Sequence, residues 1–482
     1  MFKRPGVPFI FAFTFVVLLF SGSSYSSSPA VAVDFSKTHQ YIDGFGGSSA
    51  WEGAFSDALM DVLYKNGANQ LGLTILRCRI DPHAGWADEK SNAKKAKARG
   101  ATVFATPWSP PESLKTNNNV NNGGSVPSSK YASLVKWMKS FCDNLGTDLD
   151  IFSIQNEPDF SPNYESCNYN GAAFLDFCKN WAPQIGKPIM MPEGMDFNPA
   201  LSDPTLDDSV AASHVTIIAG HLYGGAKSIF KYTKALNLGK HVWATEYNVN
   251  YSAGQRMPLA KQIFECMNNE YSAYVYWWMT NTGNGIMAGA TTPNGFGYIL
   301  AQFSKWVRPG YYRVEATYNP QTDVYVTAFK GAHSVIVVMN QSSSSKSQTF
   351  NLSGATVTSI EKYTSSASKN IASDGTVAVT NNSFTATLDA QSVTTFVSTD
   401  SIQVGILPFK TEDGRYAIQN DNVAAGQSDA MAPFIYLING KRLNVPGLNK
   451  PWSQVPGIYV LPGDVKGRYK SRGTQRRSTV IN

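Results

Sequence analysis

The chain has 482 residues, a formal net charge of +6, and 43% hydrophobic, 12% aromatic and 16% charged side chains. A charged fraction well below the ~25% usual for soluble proteins, with 39 Gly, 26 Phe and 23 Tyr, excludes a disordered chain or a coiled coil, and the length suits one large barrel plus a further module. The excess charge sits in the tail: from Ser401 onward 11 Lys and Arg face 5 Asp and Glu, while residues 1–400 hold 30 of each sign and offer no electrostatic case for nucleic acid or an anionic membrane.

At the start of the chain, Lys3 and Arg4 precede the apolar run Phe9–Phe20 and the small residues Ser21–Ser28. This is the pattern of an export signal, with an apolar run too short to span a bilayer. Residues 1–28 are therefore expected to be removed, leaving a secreted, extracellular protein with no membrane attachment.

Val31–Phe35 reads as a strand ahead of the main body. From residue 40 to 307, short apolar strands alternate with amphipathic stretches. Strands are expected at Leu73–Arg79, Ala101–Ala105, Leu149–Ile154, Ile189–Met191, Val215–Leu222, His241–Glu246 and Tyr274–Trp278. Helices are expected at Ser91–Arg99, Tyr131–Leu145 and Ala172–Gln184, the second with Leu134, Met138, Phe141 and Leu145 on one face. About eight such repeats predict a closed (β/α)8 TIM barrel rather than an open sheet. After Pro309 the pattern changes to short alternating runs separated by Gly, Asn, Ser and Asp, beginning at Val324–Phe329 and ending at Ser392–Thr399. That predicts an all-β sandwich over 308–399, joined by residues 30–39. Residues 400–482 form a basic extension, β-like or flexible, with candidate hairpins at 433–443 and 455–464.

The five Cys (78, 142, 167, 178 and 266) are odd in number and form no C-x-x-C pair, so no zinc or other metal site is expected. In an oxidising compartment a bridge between Cys167 and Cys178, or between Cys142 and Cys178, is left open. No nucleotide-binding glycine fingerprint is present, and no cofactor is expected.

Catalytic groups of a parallel barrel sit at the C-terminal ends of its strands. Two strands here finish in a carboxylate: Ile151–Glu157 (IFSIQNE) and His241–Glu246 (HVWATE). Glycoside cleavage needs such a pair, one carboxyl to protonate the leaving oxygen and one to attack the anomeric carbon.

With those two glutamates located, the runs DGFGGSSAW (43–51), LGLTILRCRIDP (71–82), FATPWSPPESLKTN (104–117), IQNEPD (154–159), HLYG (221–224), WATEYN (243–248), FSKWVRPGYYRVEAT (303–317) and AQSVTTFV (390–397) resemble glycoside hydrolase family 30. Within it they look most like the bacterial glucuronoxylanase-type xylanases. The similarity covers about residues 33–398.

The resemblance implies a barrel with a side β-sandwich that cleaves the β-1,4-xylan backbone with retention of configuration. Glu157 matches the acid/base and Glu246 the nucleophile, and Tyr223 and Arg79 match residues that hold the nucleophile; Asn156, one before the acid, carries an amide suited to the sugar 2-hydroxyl. Trp51, Trp108 and Trp277 are candidate stacking platforms for sugar rings, whereas strand alternation turns Trp278 the other way. His221 reads as a satisfied core histidine. Glucuronate-dependent members carry an Arg-containing loop after the eighth strand. Here no Arg or Lys lies between Trp278 and Lys305, so dependence on glucuronic acid side groups is not expected. A monomer acting on plant cell-wall xylan is the expected form. The readings held beside it are a family-30 β-1,6-glucanase, β-1,6-galactanase or glucosylceramidase-like enzyme, and a non-catalytic carbohydrate-binding protein.

Overall fold

A computed structural model describes residues 29–400 and four short strands in the tail. The chain divides into two units, 1–402 and 403–482. In the second, Phe409–Lys410 pairs with Tyr416–Ala417 and Phe434–Tyr436 with Arg442–Asn444, both antiparallel. The latter pair coincides with the hairpin expected at 433–443. The export signal and the 455–464 hairpin lie outside the described residues.

In the first unit, strand β1 (Val31–Tyr41) precedes eight strands that close into a barrel: β2 (Gly44–Ser48), β3 (Ile75–Ile80), β4 (Thr102–Pro107), β5 (Ile151–Ser153), β6 (Ile189–Gly194), β7 (Ile217–His221), β8 (His241–Glu246) and β9 (Ala273–Trp278). All neighbours are parallel, and β2 closes on β9. Ile75, Phe104, Ile151, Met190, Ile217, Trp243 and Val275 fill the lower interior as an apolar plug. Helices wrap the outside. Tyr131–Leu145 buries Leu134, Met138, Phe141 and Leu145, the face read from its spacing. Strand β2 (GFGGS) carries no propensity signal, because glycine is depleted in strands. It needs glycine for space: a Cβ on Gly46 would lie 2.2 Å from the Ile75 carbonyl oxygen.

After a small hairpin, β10 (Met287–Gly289) and β11 (Thr292–Pro293), helix Gly295–Ser304 is buried almost all round. It wedges between barrel and sandwich, with Gln302 Nε2 donating to Ser365 Oγ at 2.8 Å and Gln302 Oε1 accepting from Thr395 Oγ1 at 2.6 Å. Strands β12 (Tyr312–Ala316), β13 (Val324–Lys330), β14 (Ser334–Asn340), β15 (Lys346–Ser353), β16 (Ser359–Ser365), β17 (Ala372–Ala378), β18 (Ser383–Leu388) and β19 (Ser392–Ser398) join β1 in one hydrogen-bonded ladder of nine strands. The ladder folds over on itself. Phe396 of β19 reaches Phe384 of β18 and Phe350 of β15, centroids 5.2 and 5.5 Å apart, although several strands separate them in the ladder order. The result is the sandwich. Register shifts at Asp34–Thr38 and Thr38–Tyr41 let β1 turn the corner, pairing with β12 on one edge and in parallel with β15 on the other.

All five cysteines are free buried thiols, which corrects the disulfide reading. Their apolar surroundings make them small hydrophobes of the core.

Candidate active site

The barrel mouth is an open cleft of about 710 Å³ whose lining includes Glu157, Glu246, Trp51, Trp108, Trp277 and Tyr223. Six of the eight residues expected from the sequence thus share one wall-to-wall space. Asn156 and Arg79 lie just behind it.

Three irregularities in the barrel ladder shape this mouth. Between β6 and β7 the register jumps from Pro192 to Gly194, between β7 and β8 from Ala244 to Glu246, and between β2 and β9 from Tyr276 to Trp278. Each jump is a bulge that re-aims side chains the regular alternation would direct elsewhere. The second sets Glu246 opposite His221. The third is why Trp278 does not turn away: it stacks on Trp277 at 5.0 Å and lines the cleft, which corrects the alternation argument. Glu157 and Glu193 stand at φ 43° and 53°, backbone values costing roughly 1–3 kcal/mol for such residues.

A charged layer lies directly above the apolar plug. Arg77 is fully buried and forks between its partners: Nη1 binds Glu246 Oε2, while Nη2 donates to Asn156 Oδ1 at 2.7 Å and pairs with Glu193 Oε1 at 3.2 Å. Its guanidinium sits over Trp108, 4.6 Å from the ring centroid. Tyr223 OH donates to Glu246 Oε1 at 2.8 Å, so both oxygens of that carboxylate are held. Asn156 spends its amide oxygen on Arg77, and its NH2 has no partner among the described residues. His221 Nδ1 donates to Glu157 Oε1 at 3.0 Å. One ligand atom each of Glu157, His221 and Glu246 lie within 4.8 Å of one another.

The role expected of Arg79 belongs to Arg77. Both point to the same side of β3, but two residues on a strand differ by about 6.6 Å in height. At the lower level Arg77 meets Glu246. Arg79, one level higher, is committed to Glu165, with Nε–Oε2 at 3.0 Å, and to Asp81 at 2.9 Å, and lies over Trp51.

Glu193 and His221 are functional-site residues that the sequence reading missed. Burial alone would raise the Glu193 carboxyl. The Arg77 guanidinium, His221 and Ser153 Oγ override it and hold the group down at about 2. Burial would lower the His221 imidazole, yet Glu246, Glu157 and Glu193 around it push it up to about 9. A depressed carboxyl stabilises the fold above its unfolded value of 4.5 and loses that contribution as pH falls towards 2. A raised imidazole stabilises below 6.5 and loses it as pH rises through 9. The site therefore supports the fold most between these limits, and the thermal midpoint should peak at pH 4.5–6.5 and fall on both sides. A midpoint still climbing above that window would contradict a cationic His221.

The outer wall comes from the loops after β4 and β5, zipped by Asn122 N to Pro162 O at 3.1 Å and Ser166 N to Val120 O at 3.0 Å. Buried Lys115 ties them from behind, donating to Val120 O at 3.0 Å and Ser166 O at 2.5 Å. They bring Asn121, Asn163 and Tyr164 to the cleft. No sequence signal marks these positions, since only loop pairing places them.

No family model matches the chain. Among curated proteins it is 36% identical over 387 residues to glucuronoxylanase XynC of Bacillus subtilis (strain 168), covering 76% of this chain and 91% of that one. Among solved structures it matches the glycoside hydrolase family 30 subfamily 8 xylanase Xyn30A of Clostridium acetobutylicum with 43% identity and a TM-score of 0.73, over 77% of this chain and 99% of that one. It also matches a family-30 endoxylanase of Clostridium papyrosolvens C71 with 36% identity and a TM-score of 0.71, over the same shares. Barrel, side sandwich and relatedness agree: the chain belongs to glycoside hydrolase family 30, among its xylanase-type members.

Proposed function

We propose that the protein is a secreted retaining endo-β-1,4-xylanase that cuts the xylan backbone through Glu246 and Glu157 and does not require glucuronic acid side groups. The observation that carries the reading is the pair of carboxylates, with oxygens within 4.8 Å, in a tryptophan-walled cleft. Retaining enzymes hold their two carboxyl groups about 5–5.5 Å apart, and inverting ones leave room for a water between them.

In this mechanism Arg77 and Tyr223 hold and aim the two oxygens of Glu246, one of which attacks the anomeric carbon. Glu157 delivers its proton to the departing glycosidic oxygen. The bond to Glu246 forms as the glycosidic bond breaks; Glu157, now a base, takes a proton from the water that releases the sugar. His221 Nδ1, 3.0 Å from Glu157 Oε1, fixes where that carboxyl points. The free NH2 of Asn156 suits the 2-hydroxyl contact that strengthens in the transition state.

Indifference to glucuronate is supported by the cleft lining, which includes carboxylates, amides and aromatics but no Lys or Arg. The two guanidinium groups beside the cleft are both committed: Arg77 to Glu246, Glu193 and Asn156, and Arg79 to Glu165 and Asp81. A substrate carboxylate would find no bidentate donor there. Secretion is supported by the N-terminal Lys3, Arg4 and Phe9–Phe20 pattern. The test is product analysis on linear unsubstituted xylan and on glucuronoxylan side by side. Comparable cleavage of both, giving mainly neutral xylo-oligosaccharides, is expected. Cleavage of glucuronoxylan alone would overturn the glucuronate reading, and cleavage of neither would overturn the substrate.

A further inference from the structure

We propose that Glu52 is a positioning residue that fixes the tryptophan wall of the cleft, and so sets how tightly the neutral sugar rings of a β-glycan backbone are held. The inference rests on the reading of the cleft as a xylan-cleaving site.

Glu52 is a partly buried carboxylate that touches neither Glu157 nor Glu246. Its Oε1 accepts from Thr280 N at 2.7 Å and Thr280 Oγ1 at 2.9 Å, and its Oε2 from Met279 N at 3.1 Å. No Lys, Arg or His pairs with it among the described residues. Burial pushes the carboxyl up to about 7, with the Thr280 and Met279 donors only partly offsetting the cost. A carboxylate kept in such a place, satisfied only by the backbone and hydroxyl of one loop, is expensive for the fold. Its return is positional.

The two segments it joins carry the wall. Residues 48–52 present Trp51, and the segment after β9 begins with Trp277 and Trp278. They are stapled by Met279 N to Ser48 O at 3.2 Å, by Trp278 Nε1 to Ala50 O at 2.8 Å and by the three bonds to Glu52. Trp51 is 48% exposed and sits at φ 59°, a left-handed backbone that costs a bulky residue roughly 1–3 kcal/mol unless its surroundings impose it. Its ring meets Trp108 at 4.9 Å and Trp277 at 6.1 Å, edge to face. Without the Glu52 clamp no other hydrogen bond among the described residues ties the side of the turn following Trp51 to the 279–280 backbone, both Thr280 donors lose this acceptor while Met279 N keeps only Ser48 O, and the strained turn is free to relax. The catalytic layer below, held by Arg77, would not move.

The experiment compares wild type with Glu52→Ala, Glu52→Gln and Thr280→Val in steady-state kinetics on xylo-oligosaccharides. Glu52→Ala should raise KM by about 10-fold or more with kcat within about 3-fold, because the rings are misplaced and the reacting groups are not. Glu52→Gln, whose carbonyl can still accept from Thr280, should recover most of the KM, and Thr280→Val should show a smaller rise. An unchanged KM in Glu52→Ala, or equal losses in kcat and KM that Gln does not rescue, would overturn the proposal. Should Glu52→Ala fail to fold, the Gln and Val variants carry the comparison. A second reading needs no substrate: acrylamide quenching attributable to Trp51, taken as the difference between each protein and its Trp51→Phe derivative, should change in Glu52→Ala and return in Glu52→Gln. Unaltered quenching overturns the positioning role whatever the enzyme cleaves. Altered quenching with no wild-type cleavage of xylan would instead overturn the substrate and leave the clamp standing.

Discussion

Glu246→Gln should lower turnover of xylan by roughly 10⁴-fold or more while leaving the fold and oligosaccharide binding intact. The amide keeps the size and shape of the carboxylate. Its carbonyl oxygen can still accept from Arg77, and its NH2 can donate to the Tyr223 hydroxyl, which becomes the acceptor where it was the donor. What disappears is the negative charge that attacks the anomeric carbon. Single-turnover assays with calorimetric binding of xylohexaose would check both halves. Residual hydrolysis within about 100-fold of wild type would remove Glu246 from the nucleophile role, and loss of binding together with turnover would make the residue structural.

Arg77→Met should be the most damaging change away from the two catalytic glutamates, and Arg79→Ala should be mild by comparison. Removing the Arg77 charge strands two buried carboxylates, Glu193 and Glu246, and breaking one side of a buried pair costs about 3–5 kcal/mol. It also frees the Asn156 amide to turn. Lysine is no substitute: a point charge on a flexible stem cannot reach Glu246, Glu193 and Asn156 together. Arg79 is less deeply buried than Arg77, and its partners Glu165 and Asp81 keep contact with solvent, so removing it leaves no fully buried carboxylate unpaired. Urea unfolding and kcat for the two variants decide the matter. If Arg79→Ala lost more turnover than Arg77→Met, the assignment of the nucleophile's partner to the deeper arginine would be wrong.

The exchange between these two arginines shows where sequence reading of such a fold stops. The spacing in LTILRCR tells which residues share a face, and the strand-end pattern found Glu157 and Glu246 because each is followed by a break in the strand. Height above the plug is not written in the alternation, and so Arg79 was expected where Arg77 stands. Glu193 was hidden for a different reason. The strand expected at Ile189–Met191 stops short of it, and only a bulge and a left-handed backbone turn that carboxylate into the barrel. His221 looks like any core histidine until the three carboxylates around it are seen. Trp278 was misplaced because alternation fails at a bulge. The sandwich, the barrel and most strand positions were legible because they follow from period and punctuation. Strand β2 was not, since its glycines are there for closeness and not for propensity.

Strand β1 has a consequence for how the chain reaches this state. It is made before any part of the barrel, yet its partners are β12 and β15, separated from it by the whole barrel sequence. Until residues 312–353 are available, an eleven-residue strand with Val31, Val33 and Phe35 on one face has no sheet to join. Such an edge invites pairing with other chains. The sandwich is thus less an appendage than a clasp, joining residues 31–41 to 312–353 from opposite sides of the barrel sequence. A protein cut after residue 307 would keep every catalytic residue and still carry that unmatched strand.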